Sequence, residues 1–196
     1  MLHDGLSRTN RRTAVGATFA VAAGLAIQIP TRGRVLTQRG MIGGGVVQVG
    51  QDAAEFSLYA TRFELSDVDR QIVVGSIIWV DPAAGLELRT TEIVAYDVAP
   101  GDAGQTRKIE GMMSAGGEEA YPFVLIVSDV GPPNSGQDSV SFGVGDGVTL
   151  TGEAAPATGF GFSYSASGPI AAGDVQLIEF DINTETGVAS AATPEA

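Results

Sequence analysis

The sequence predicts an all-β chain: an antiparallel β-sandwich or barrel of about 9–11 short strands, preceded by an N-terminal signal or anchor helix. Three observations predict it. From Gly43 onward, apolar residues tend to recur at every second position, the period of a strand with one buried face. No segment of that region repeats its apolar residues at helical spacing over three turns. The 196 residues also hold 27 glycines and 9 prolines, which break helices and supply turns.

Residues 1–30 read MLHDGLSRTNRRTAVGATFAVAAGLAIQIP. Arginines come first, then 17 uncharged residues (13–29), with the small residues Ala20, Ala22 and Ala26 near a plausible cut. That is the order of an export signal. Arg11-Arg12 before a weakly hydrophobic stretch looks like a twin-arginine signal, although Ala14 stands where phenylalanine is common; Sec export stays open. An uncleaved anchor competes with cleavage, since a spanning helix needs roughly 17–25 residues. Residues 31–42, with Arg32, Arg34 and Arg39 and no periodicity, read as a linker.

The β domain is expected over residues 43–183. In residues 54–63, AEFSLYATRF, one face carries Phe56, Leu58 and Ala60 and the other Glu55, Ser57 and Tyr59. Residues 72–81, IVVGSIIWVD, are apolar on both faces and suit a central strand. Strands follow at 86–90, 92–98, 107–113, 121–127 and 139–144. Gly145-Asp146-Gly147 is a hairpin signal that would return the chain as a strand at 148–150. Residues 152–161 read as a flexible inserted loop, residues 160–166 and 175–182 as the last strands, and 184–196 as a disordered tail.

The charge is lopsided. Six of the 11 basic residues precede Met41, but only one of the 23 acids does, so the chain from Met41 onward holds 5 basic and 22 acidic residues, a net of −17. Such a body repels nucleic acid and anionic lipid, and its carboxylates serve chiefly for solubility. With no cysteine, disulfides and thiolate chemistry are excluded. The single histidine, His3, leaves with any cleaved signal, and with it Ser-His-Asp catalysis and histidine-rich zinc sites.

An ordered series of turn residues carries a resemblance. It runs Gly43-Gly44-Gly45, AEFSL, Trp79-Val80-Asp81 with Gly85, Thr90-Thr91 with Ile93, then Ile109 and Gly111. It continues Tyr121-Pro122-Phe123, Val127 to Gly131 (VSDVG), Pro133, Gly136, Asp138, YSASGPI at 164–170 and GDVQL at 173–177. The series resembles the post-COAP domain, a small secreted bacterial β-domain found beside choice-of-anchor proteins. It departs from that pattern at Trp79, where tyrosine is commoner, and in an insertion at 145–161. The resemblance implies a secreted or surface-associated all-β module and no reaction.

Asp129 and Asp138 begin and end a ten-residue stretch of turn chemistry, DVGPPNSGQD. Either could cap backbone N–H groups in a strand connection. The alternative is a calcium site with Asp81, whose WVDPAAG loop has the same form, although EF-hand spacing is absent. EFDINTE, residues 179–185, hints at paired catalytic carboxylates. A straight strand sets Glu179 and Glu185 roughly 20 Å apart at about 3.3 Å per residue, too far for a glycosidase pair. Glu179 and Asp181 are close enough, but a solvated edge-strand face explains them better. Phe160, Phe162 and Tyr164 follow a glycine-rich loop and are the aromatics best placed to stack on a ligand such as a sugar. Gly43–Gly45 lacks the lysine and helix start of a phosphate loop.

These readings converge on an exported, non-enzymatic module with a structural or adhesive role at the cell surface and no required cofactor. A carbohydrate-binding module, calcium-assisted or not, is the alternative, and a glycan-active hydrolase using Glu179 and Asp181 a weaker one. Expected partners are a cell-surface protein or glycan, not nucleic acid, with membrane contact only through an uncleaved N-terminal segment.

Overall fold

Two-residue alternation decides which side of each strand meets the core. In β2 (Asp52–Leu65), Ala54, Phe56, Leu58 and Ala60 are buried while Glu55 is exposed, as their spacing requires. The computed structural model describes residues 35–65, 71–99, 104–133, 135–153, 155–183 and 186–191. Among them there is no helix. The signal or anchor expected at 1–30 lies outside the described residues.

The other strands are β1 (Val35–Val49), β3 (Gln71–Asp81), β4 (Leu86–Val98), β5 (Thr106–Ser114), β6 (Tyr121–Ser128), β7 (Ser139–Gly145), β8 (Ser163–Asn183) and β9 (Ala189–Ala191). Each pairs antiparallel with the next, and β8 also pairs with β1. That last pairing closes β1 to β8 into an up-and-down barrel, so of the two architectures the sequence left open the barrel is the one formed. Eight strands give an interior that side chains can fill. Here Met41, Phe56, Leu58, Ile77, Trp79, Leu88, Ile109, Phe123, Leu125, Phe142 and Val175 fill it. An apolar interior beneath polar outward residues such as Glu55, Ser141 and Ser165 is the reverse of a membrane barrel, which faces its apolar band outward.

Several boundaries differ from the sequence reading. Val35 to Ile42, expected as linker, forms the first half of β1, paired on both sides with β2 and β8. Its alternation is masked because Arg39 faces inward. The strands expected at 86–90 and 92–98 are one, β4, with register shifts between Thr90 and Glu92 and between Ile93 and Ala95 that break the period. Those expected at 160–166 and 175–182 also fuse, into β8. At about 3.3 Å per residue its 21 residues span roughly 70 Å, too long for one neighbour. β8 therefore pairs with β7 through Pro169 and with β1 from Ile170, bulging where Val46 and Val47 shift register.

The return strand expected at 148–150 does not form. Val148 N–H does close a turn onto the Gly145 carbonyl at 3.3 Å, but the chain then runs as a loop to Phe162. This loop lies over the outside of the barrel, where the Thr151 N–H donates to both carboxylate oxygens of Glu110 at 3.1 Å. It is inserted, as expected, but anchored. The tail expected to be disordered contributes β9, whose three exposed residues pair with Phe180, Asp181 and Ile182.

Of the glycines at 43–45, Gly43 and Gly45 serve the β1–β8 seam, while Gly44 faces β2 at Phe56. A Cβ on Gly43 would stand 2.1 Å from the Asp174 carbonyl oxygen, and one on Gly173 (φ +106°) 2.2 Å from that of Gly44. Only glycine lets the two backbones approach so closely there.

Candidate functional site

Antiparallel order puts Asp81 at one end of the barrel and Asp129 and Asp138 at the other. The three aspartates therefore do not converge. Among the described residues, no group of three histidine, aspartate or glutamate side chains is placed to hold a metal ion.

The end carrying Asp81 is aromatic. Trp79 is fully buried and stacks on Phe142, with centroids 4.5 Å apart, and on Phe56 at 5.9 Å. Its indole N–H donates to the Tyr164 hydroxyl at 3.2 Å, which in turn donates to Asp81 Oδ2 at 2.7 Å. Asp81 Oδ1 accepts the N–H groups of Ala83 and Ala84, both at 3.0 Å, and so shapes the turn ending at Gly85. The Ala84 N–H and then the Tyr164 hydroxyl hold the Asp81 carboxyl below its ordinary range. Burial, then the bond to Asp81, pushes the Tyr164 phenol up to about 12.

Phe160, Phe162 and Tyr164 do not form the flat exposed row that would stack on a sugar. Phe160 and Phe162 pack on Tyr121, with centroids 5.8 and 4.9 Å away, and Tyr164 turns inward to Asp81. Beside them runs a shallow groove of about 330 Å³, lined by Gly143, Val144, Asp146, Gly147, Val148, Ser163, Tyr164 and Ser165. Asp146 borders it but is already bound to the N–H groups of Phe160 and Gly161 at 3.1 and 2.9 Å.

At the far end, Asp138 is buried and its Oδ1 accepts from Val130 N–H at 3.0 Å and Gly131 N–H at 3.2 Å. Asp129 Oδ2 accepts from Leu177 N–H at 2.8 Å, tying the β6–β7 connection to the part of β8 that runs past β7. Asp138 thus caps N–H groups of the connection, whereas Asp129 accepts from a strand 48 residues further on instead of from its own turn. Burial raises the Asp129 carboxyl, with the charges of Asp138 and Asp174 adding to it.

The same end holds a cluster that the sequence reading missed. Arg39, Arg62 and Arg107 lie on the inward faces of β1, β2 and β5, in register with the core positions beside them. Arg39 stands directly opposite Arg62 on one side and Glu179 on the other. Arg107, only 1% exposed, pairs through Nη2 with Glu179 Oε1 and donates through Nη1 to the Gly104 carbonyl at 2.7 Å. Arg62 donates to the Tyr96 carbonyl and to Asp97 Oδ1, both at 2.9 Å, and its Nε lies 2.7 Å from Glu64. Arg62 links β2 directly to β4 over the stretch where β3 and β4 are unpaired, since those strands pair at only four positions, Ile78 to Asp81. Thr90 bridges the next step with its hydroxyl, which donates to the Ile77 carbonyl at 2.8 Å.

The expected solvated edge-strand face is corrected at 179–183; Glu185 lies outside the described residues. Glu179 faces the interior because β8 is paired with β1, and it balances buried Arg107. Asp181, one inward position further out, accepts from the Thr37 hydroxyl at 2.7 Å. One signal was available for this cluster: Arg62 sits two residues past Ala60, on the same apolar face. Compared with family models, with curated proteins and with solved structures, the chain has no match.

Proposed function

We propose that the chain is an exported, non-enzymatic β-barrel module with a structural or adhesive role at the cell surface. One observation carries the reading: the polar side chains best suited to chemistry are engaged in holding the barrel. Asp81 and Tyr164 close the aromatic end, Asp129 and Asp138 fasten the β6–β7 connection, and Glu179 neutralises Arg107. A catalytic carboxylate needs an oxygen turned toward substrate, and the bonds here turn inward. Export rests on Arg11-Arg12 and the uncharged residues that follow. The strongly acidic body suits an exposed setting, and the resemblance to the post-COAP domain points the same way.

The groove beside Ser163 and Tyr164 favours glycan binding as the second reading. Thermal unfolding of the full chain with and without calcium, combined with a glycan array, separates the two. The structural reading expects no shift and no array signal. Saturable binding to a glycan, lost in a Ser163→Trp variant that keeps its fold, replaces it with the second. Glycan turnover that disappears in Glu179→Gln overturns both.

A further inference from the structure

We propose that two copies of the chain associate by pairing their β3 strands edge to edge across a two-fold axis. β3 pairs with β2 from Gln71 to Val80 without a register shift, but with β4 only from Ile78 to Asp81. From Gln71 to Ile77 it therefore has a ladder on one side and none on the other. Ile77 turns its N–H and carbonyl toward β4, where the Thr90 hydroxyl bonds both. Backbone direction repeats at every second residue, so Gln71, Val73 and Gly75 present theirs on that same side. Gln71, Gly75 and Ser76 are exposed, which puts this edge in contact with solvent.

Of the two edges bordering the gap, that of β3 is the one fit to dock a strand. β4 is broken there by register shifts between Thr90 and Glu92 and between Ile93 and Ala95, and it carries exposed Glu92 and Asp97. Bulges and charges are the means by which sheet edges are kept from pairing. β3 has neither: residues 71–80, QIVVGSIIWV, hold no charge and no proline. What such an edge takes is another extended backbone. A second copy supplies one that matches it. With Val73 on the axis opposite its counterpart, Gln71 meets Gly75 and Ile72 meets Val74 on both sides. The long side chain then falls opposite the residue without one, and the outward β-branched residues lie against each other. No like charges are directly opposed along the pairing. Glu64, the nearest acid on β2, is bound by Gln71 and Arg62 of its own chain. The bodies, each at net −17 from Met41 onward, still repel at a distance, so salt should strengthen the association.

Sedimentation equilibrium of the full chain at low and high sodium chloride tests this, with amide hydrogen exchange as the local readout. The expected result is a monomer–dimer equilibrium that shifts toward dimer as salt rises, with exchange at Val73 and Gly75 slowing as dimer forms. Val73→Pro removes an N–H that the ladder to β2 does not use, so the barrel should keep its circular-dichroism spectrum. The dimer loses the two hydrogen bonds at its axis and should weaken roughly ten- to hundredfold. Should that variant fail to fold, Val74→Glu, which sets two carboxylates astride the axis on the outward face, serves instead, with the same loss expected. A parent chain that stays monomeric at every salt concentration overturns the proposal and leaves the edge to a strand from another protein. A dimer equally stable in the parent and the folded variant overturns it as well and places the contact on a different surface.

Discussion

The Tyr164 hydroxyl donates to Asp81 across 83 residues of chain, at 2.7 Å, while accepting the Trp79 indole N–H at 3.2 Å. This relay couples the end of β3 to the start of β8 and stacks a polar chain against the aromatic core. Removing its middle member leaves the indole N–H unpaired and removes one donor from a buried carboxylate. Tyr164→Phe should therefore lower unfolding free energy by about 1–3 kcal/mol, measured by urea titration. Trp79→Phe relieves the unpaired N–H, so the double variant should lose less than the sum of the single losses.

The same relay sets a pH dependence. The Asp81 carboxyl is held below its unfolded value of 3.8, so its contribution is fully present above that value and is lost as pH falls through the folded one. In Tyr164→Phe one of the two leading causes of the depression is gone. The folded value then moves toward 3.8, and less of the protein's stability is lost on acidification through this group. Stability curves of the two proteins should converge as pH falls below 3.8. A gap that stays constant with pH would remove Asp81 from the account.

Asp129 has the opposite sign. Burial and the neighbouring carboxylates raise it, so its protonated form is favoured in the folded state. That contribution is present below 3.8 and is lost as pH rises through the folded value. Asparagine keeps an oxygen for the Leu177 N–H and carries no charge against Asp138 and Asp174. Asp129→Asn should thus match or exceed the parent stability at neutral pH, and Asp129→Ala should fall below it. Chemical denaturation at pH 7 distinguishes these outcomes.

The strand content was legible because most strands alternate cleanly: Phe56, Leu58 and Ala60 announce their inward face, and so do Val140, Phe142 and Val144. Closure was not, because it depends on β1 meeting β8, and pairing across more than a hundred residues leaves no local mark. Arg39 and Arg62 hid further parts of the pattern. A charged residue at an inward position reads as a break in alternation unless its partner is known, and Glu179 lies far along the chain. Asp81 and Asp138 were found as turn aspartates, but the tyrosine that completes one of them was read as a ligand platform. The missed cluster lies where long side chains reach across strands, which spacing in one strand cannot show.

Arg107 and Glu179 should behave as a coupled pair. Arg107→Met leaves Glu179 facing the interior without its counter-charge, and losing one partner of a buried pair costs about 3–5 kcal/mol. Glu179 keeps a side-chain exposure of 21%, so the lower part of that range applies. Glu179→Leu alone strands Arg107, which is more deeply buried, and should cost at least as much. Joining the two substitutions replaces the pair with apolar volume and should recover much of the loss. A double-mutant cycle by denaturant titration gives the coupling, and simple additivity would mean the pair is not bonded in solution.

The outer loop offers a separate check, because its anchor is a single carboxylate. Glu110 lies on the outward side of β5 yet is buried, with Lys108 as its counter-charge and the Thr151 N–H bound to both of its oxygens. Lys108 also donates to the Thr151 hydroxyl at 3.1 Å, so one residue of the loop receives both contacts. Glu110→Ala removes the acceptor for the Thr151 N–H and leaves Lys108 without its acid. The barrel strands do not depend on that bond, since β5 keeps its ladders to β4 and β6. Limited proteolysis should therefore show faster cutting within residues 146–162 while the rest of the chain resists. Glu110→Gln retains an oxygen and should lie between the two, closer to the parent protein. Equal cutting rates in all three would show that the loop is held by its own internal bonds between Val148 and Ala157 rather than by the glutamate beneath it.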